Sequence, residues 1–258
     1  MKKFFALILA GVLLLSMMAC SKDDANIGED LEEVEEDILI IQGAAGEETY
    51  GYEITSGNTI EITSYSGAYE LHAVVVPNEI DGRPVTAIGD KAFYHANNIT
   101  TVTIPATVTS IGDWAFAGCN YLTSVTGSDA VLTIGKGAFC QSPALETVQL
   151  SATLTEIADY AFKDCTALKS VALPATLTKI GAAAFESCES LTSVSIPNAV
   201  ESVGLLAFNE CAKLKTVSVG TATIGDFAFN DCAEDLVISC PAGSAAATYA
   251  ANAGIATK

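Results

Sequence analysis

The sequence predicts an α/β repeat solenoid, and three regularities predict it. Phenylalanine stands at 93, 116, 139, 162, 185, 208 and 229, with five gaps of 23 residues and a last gap of 21. Alanine precedes every one (Ala92, Ala115, Ala138, Ala161, Ala184, Ala207, Ala228), and five residues before stands Ile88, Ile111, Ile134, Ile157, Ile180, Val203 or Ile224. Nine residues after stands Val102, Val125, Val148, Val171, Val194, Val217 or Ile238. A unit this short cannot bury an apolar face alone, whereas stacked copies can.

The elements follow in chain order. The start, MKKFFALILAGVLLLSMMAC, has a basic n-region at Lys2 and Lys3, an apolar run from Phe4 to Leu15, and small Ala19 before Cys20. Residues 1–19 read as a signal peptide. A cysteine just after the cleavage point resembles a bacterial lipoprotein signal, which makes Cys20 the lipidation site; an ordinary secretory peptide is the alternative. Met17 stands where that motif usually has leucine. Ser21-Lys22-Asp23-Asp24 resembles the acidic export tag of surface lipoproteins, which implies an outer-membrane anchor facing the cell exterior. Membrane contact is expected through the lipid alone, because no later run of about 18 apolar residues exists.

Residues 20–48 read as the lipidated cysteine and an acidic tether. Between 22 and 48 there are 11 acids and the single base Lys22. The stretch EDLEEVEEDILII fits either a short amphipathic helix or a solvated spacer. Residues 49–84 are expected to hold an N-terminal β cap and a leading coil, with YGYEI and NTIEITSY pairing as a hairpin around Ser56-Gly57.

Residues 85–240 form the array. Ile111, Ala115, Phe116 and Cys119 are spaced i, i+4, i+5, i+8, one face of a short helix. Leu145, Val148 and Leu150 end in period-two alternation and imply a strand, which proline stops at 105, 174, 197 and 241. Asp90, Asp113, Asp159 and Asp226 fall where the helices would begin. The expectation is a parallel β-sheet on one face and short helices on the other. Residues 241–258 close the array with a helical cap in SAAATYAANA, ended by Gly254.

The pattern IGxxAFxxCxxLxxVxIP resembles the BspA-like leucine-rich repeat family, with 23-residue units over residues 85–240. LHAVVVPNEIDGRPVTAIGDKAF is similar to that family's leading coil, with an insertion before Val85. The departures are Gly127 and Cys240 in place of the strand's last aliphatic, Ser142 and Ala96 in place of cysteine, and the short final unit. The resemblance implies an adhesin that attaches to host matrix proteins or to other bacteria.

Charge narrows the partners. With 31 acids against 12 bases, the net charge of −19 repels phosphate backbones, so no nucleic-acid partner is expected. Five of the seven cysteines beyond Cys20 occupy one column, at 119, 165, 188, 211 and 232, which reads as a ladder of buried thiols. A disulfide between Cys232 and Cys240 is the alternative to test first. No metal or cofactor is expected, as zinc spacing is missing. His72 and His95 are the only histidines and stand in different columns, and no catalytic motif accompanies them, so no enzyme is expected.

The surface reading centres on outward positions of the sheet: Thr101, Thr103, Ser124, Thr126, Thr147, Gln149, Ser170, Ser193, Ser195, Thr216 and Ser218. They make an uncharged, hydroxyl-rich strip, about six strands wide, although threonine also simply suits exposed strands. Extended faces of solenoids are docking surfaces, and the absence of aromatics favours a protein over a sugar. Two alternatives stay open: a carbohydrate-binding accessory of a nutrient-uptake system, and an envelope protein self-associating through the column of Trp114, Tyr160, Leu206 and Phe227. A monomer is expected, with that column packing between neighbouring units.

Overall fold

A computed structural model describes residues 39–42, 48–67 and 69–258. Cys20 and the signal, tag and most of the tether lie outside the described residues. Strands β1 (Leu39–Gln42), β2 (Thr49–Ile54) and β3 (Ile60–Ser66) form an antiparallel meander, in which β1 pairs with β2 and β2 with β3. The segment expected to be spacer thus contributes an edge strand at Leu39–Gln42. The hairpin turn at Ser56–Asn58 has Asn58 in the left-handed region. Three more strands complete the leading coil: β4 (His72–Val75), β5 (Glu79–Ile80) and β6 (Arg83–Ile88). β3 then lies parallel to β6, which converts the meander into the first rung of the solenoid.

Each later coil carries a two-residue strand at the isoleucine column. These strands stack in parallel from Ser110–Ile111 to Thr223–Ile224, with Ile111 opposite Ile134, Ile157 opposite Ile180, and Val203 opposite Ile224. The valine column forms a second set of parallel strands, with Val102 opposite Val125 and Val194 opposite Val217. Side chains alternate across each strand, so Ile and Val point inward and their neighbours outward.

The segments expected as short helices take a different form. They are tandem turns, and the one α-helix among the described residues is α1 (Ala245–Ala253). Within every unit the residues two before and two after the phenylalanine have positive φ, as at Trp114 (58°) and Gly118 (71°), or Tyr160 (61°) and Asp164 (60°). A helix would point its N–H groups along its own axis, toward carbonyls of the same unit. Here alternate N–H groups point along the stack instead. Phe116 N–H donates to Ala138 O at 2.7 Å and Phe162 N–H to Ala184 O at 2.8 Å, while Ala117 N–H closes a turn on Trp114 O. A non-glycine residue in the left-handed region costs about 1–2 kcal/mol; the bonds between coils offset it.

The phenylalanine rings form one continuous stack inside. Neighbouring centroids from Phe93 to Phe229 are 4.7–5.4 Å apart, with interplanar angles of 2–18°. Tyr65 extends the stack at one end at 4.7 Å, and Tyr249 of α1 closes the other edge-on at 5.9 Å and 71°. Each phenylalanine is almost wholly buried, a contribution of about 2–3 kcal/mol apiece. Helix α1 begins at Ser244, whose hydroxyl accepts from Ala247 N–H, and ends at Gly254 with φ 70°.

The Asp column has a role other than the sequence implied. The Asp carboxylates do not cap helices: Asp90, Asp113 and Asp159 each accept, at 2.7 Å, a backbone N–H of the next coil, from Asp113, Lys136 and Ala182. The glycine after the isoleucine is set by contact between backbones. A Cβ on Gly181 would lie 2.5 Å from Asp159 N. All seven described cysteines are free, including Cys232 and Cys240.

Candidate functional site

The outward residues of the valine-column strands form the candidate surface. Thr101 lies opposite Ser124, Thr103 opposite Thr126, and Thr147 opposite Ser124 on its other side. Ser193, Ser195, Thr216 and Ser218 are likewise aligned, with Ser218 Oγ donating to Ser195 Oγ at 2.9 Å. Thr101 and Ser124 are half-buried; Thr103, Thr126, Thr147, Gln149, Ser170, Ser193, Ser195, Thr216 and Ser218 are exposed. Their inward neighbours Val102, Val125, Val194 and Val217 are buried, so the hydroxyl rows rest on a fixed apolar floor.

The strip is not one band of six strands. It consists of two four-stranded sheets, one of them formed by β4 with Ile99–Thr103, Ser124–Thr126 and Thr147–Val148, the other by Ser193–Ser195, Thr216–Ser218, Val237–Ser239 and Ala256–Thr257. Ser170 falls in residues 169–173, which carry no strand. There, Lys169 N–H donates to Glu146 O at a long 3.3 Å, and the side chains add a 2.6 Å ion pair between the same residues. Exposed ion pairs of this kind contribute little to stability. Gln149 is drawn toward the preceding turn, its Nε2 donating to Asp129 Oδ1 at 2.6 Å.

Both ends of the strip carry residues that sequence reasoning missed. The chain end adds the strand Ala256–Thr257 beside Val237–Ser239. Lys258 then joins Ser193, Ser195, Thr216, Ser218 and Ser239 around a shallow depression of about 280 Å³. Its only signal was a short ATK after Gly254. At the other end Val75 lies opposite Thr103 and is 67% exposed. The alternation of LHAVVVP, with Val74 and Val76 inward, held that information.

In the rival column Trp114, Tyr160 and Leu206 are half-buried. Trp114 lies against the backbone of Gly137, where a Cβ would come within 2.5 Å of its ring. Lys136 Nζ sits 5.4 Å from the centre of the Tyr160 ring. Phe227, in the last unit, is 61% exposed. His95 is exposed, whereas His72 is half-buried, with Nε2 2.7 Å from Tyr65 Oη and 3.2 Å from a carboxylate oxygen of buried Glu48. Among the described residues no cluster of His, Cys, Asp or Glu is arranged to hold a metal ion, and no helix is long and apolar enough to cross a membrane.

Comparison with known proteins agrees with this geometry. Residues 86–215 and 132–242 match the BspA type leucine rich repeat region, in 6 copies. A leucine rich repeat protein of T. pallidum is 33% identical, with 73% of this chain and 78% of that one covered and a TM-score of 0.52. A leucine rich cell surface protein of Faecalibacterium prausnitzii A2-165 is 24% identical, covering 78% and 76%, with a TM-score of 0.41. A leucine-rich repeat protein of Bacteroides ovatus is 20% identical, covering 79% and 71%, with a TM-score of 0.40. A search of curated proteins finds no match. Repeat spacing, the parallel ladders and the matched regions place the chain in the BspA-type leucine-rich repeat family.

Proposed function

We propose that this protein is a non-catalytic surface lipoprotein whose sheet strip binds a protein partner. In this reading Cys20 is acylated after removal of residues 1–19, and the acidic segment 20–48 is a self-repelling tether. The β cap and leading coil at 49–84, the solenoid at 85–240 and the helical cap at 241–258 are presented beyond the outer membrane as a monomer. The partner is a host extracellular-matrix protein or a bacterial surface protein, as the family resemblance implies.

The single observation that supports the reading best is the alignment of exposed hydroxyls, as at Ser193, Thr216, Ser195 and Ser218, over buried valines. Such a surface offers donors and acceptors at fixed spacing with Lys258 as the one charged side chain beside them, and binding to it orders few long side chains. The test is capture on immobilised extracellular-matrix and bacterial-surface extracts by the full chain and by a variant carrying Thr147→Lys, Ser170→Lys and Ser193→Lys. Loss of capture with an unchanged melting temperature supports the strip; equal capture removes it.

A further inference from the structure

A second surface has the aromatic chemistry that the sheet strip lacks. It is a groove of about 380 Å³ where the end of β3 meets the turns of the first full unit, lined by Tyr65, Tyr69, Tyr94, His95, Asn97 and Asn98 among others. Tyr69 is fully exposed and Tyr94 is 49% exposed. One coil along, in the column of Asn98, Tyr121 is 51% exposed. In a chain with 31 acidic residues, none of the residues lining this groove is Asp, Glu, Lys or Arg.

The groove is set in place by backbone geometry. His95 holds φ 56°, and its N–H donates to Ala117 O at 2.8 Å. Its imidazole occupies the space a side chain on Gly118 would need, with Nδ1 2.3 Å from the position of that missing Cβ. The Tyr94 ring meets the imidazole edge-on, centroids 4.2 Å apart at 70°, which fixes the direction of the tyrosine face. Asn97 Oδ1 accepts from Asn120 N–H at 3.0 Å, so its amide N–H donors are directed away from that backbone.

We propose that this groove binds a neutral glycan. Sugars carry no charge, so they suit a groove free of charged side chains. A pyranose presents one face of weakly positive C–H bonds, which the negative face of an aromatic ring attracts. Its rim of hydroxyls needs groups that both donate and accept, and carboxamide, imidazole and phenol supply both. Isolated exposed rings with amides between them fit that alternation, whereas a protein hot spot needs contiguous apolar area. The site is separate from the sheet strip and does not rest on that strip's function.

Affinity electrophoresis tests it with the full chain in detergent, in gels containing starch, galactomannan or mixed-linkage β-glucan. Gels with dextran sulfate or gelatin serve as controls. At least one neutral polysaccharide should retard the wild type. Tyr69→Ala with Tyr94→Ala should weaken that retardation by about tenfold or more, with an unchanged circular dichroism spectrum because both rings are exposed. Gly118→Ala, which displaces His95 and through it Tyr94, should weaken it in the same sense. The triple lysine variant of the sheet strip should be retarded like the wild type. No retardation in any neutral gel, equal retardation of the double tyrosine variant, or retardation confined to dextran sulfate or gelatin overturns the proposal.

Discussion

The thiol of Cys188 donates to the carbonyl oxygen of Phe162, in the preceding coil, at 3.3 Å. The same bond runs from Cys119 to Phe93, Cys165 to Phe139, Cys211 to Phe185 and Cys232 to Phe208. Where serine replaces cysteine the geometry persists, with Ser142 Oγ donating to Phe116 O at 3.0 Å. The column is therefore a row of small donors as well as packing. Cys188→Ser should cost no more than about 1 kcal/mol, because the donor is kept. Cys188→Val should cost about 1–3 kcal/mol, since it loses the donor and adds volume between fixed coils. Thermal melts of the two variants check the order.

Donation requires the neutral thiol, and burial holds it neutral. Burial pushes Cys119 up to about 12, Cys140 up to about 11 and Cys232 up to about 12, against about 8.5 for a free thiol. Burial moves Cys188 in the same direction, as it does the Tyr50 and Tyr65 phenols. In the unfolded chain these groups lose protons that the folded chain keeps. Their contribution is thus complete below the unfolded value and is lost as pH rises from about 8.5 toward the folded values. Melting temperature should stay level from mildly acidic to neutral pH and fall steadily in alkali. A thiol reagent at neutral pH should leave the fully buried members, Cys119, Cys165, Cys188 and Cys211, unmodified until denaturant is added.

Much of this was legible in the sequence because identity repeats wherever a side chain faces inward. Phe, Ile, Leu and Val recur in register, so the core, the coil length and the inward face of each strand could be read directly. The turns could not. The left-handed positions two before the ring hold Lys91, Trp114, Gly137, Tyr160, Ala183, Leu206 and Phe227, which share no chemistry and include glycine only once. Spacing of i, i+4, i+5 fits one helical face and a tandem turn equally well, and only bonds between coils decide. The break at residues 169–173 was hidden for a similar reason: LKSVALP matches its neighbours by letter, yet pairing there lapses. Of the candidate surface, the outward rows followed from alternation, while Lys258 and the groove at Tyr94 depend on contacts across coils.

The ring stack makes the cost of one deletion large. Phe162 lies between Phe139 at 5.3 Å and Phe185 at 5.2 Å and has no exposed surface. Phe162→Ala removes both contacts and leaves a hole that flanking coils cannot close, because their spacing is fixed by backbone bonds on every side. The expected loss is about 3–5 kcal/mol. Phe162→Leu, which keeps most of the volume, should lose less. Denaturant titration with circular dichroism gives both values, and an unchanged midpoint for the alanine variant would contradict the stack.

Gly137 offers a local test of the turn geometry, because two constraints meet there. Its φ is 61°, and a Cβ would lie 2.5 Å from Trp114 Cε3 and 2.6 Å from Cζ3. Gly137→Ala must therefore accept left-handed strain and displace the indole from its shelf. The strain alone costs about 1–2 kcal/mol. Other units hold Tyr160 or Ala183 at this position, so a side chain is tolerated where the residue one coil earlier is not an indole. The clash, not the conformation, should dominate. Trp114 is the only tryptophan in the chain, so its emission reports on this contact alone. Gly137→Ala should shift emission to longer wavelength as the ring moves toward water, and lower the melting temperature. Adding Trp114→Ala should recover part of the lost stability. Emission unchanged in Gly137→Ala would mean that the indole does not rest on this backbone.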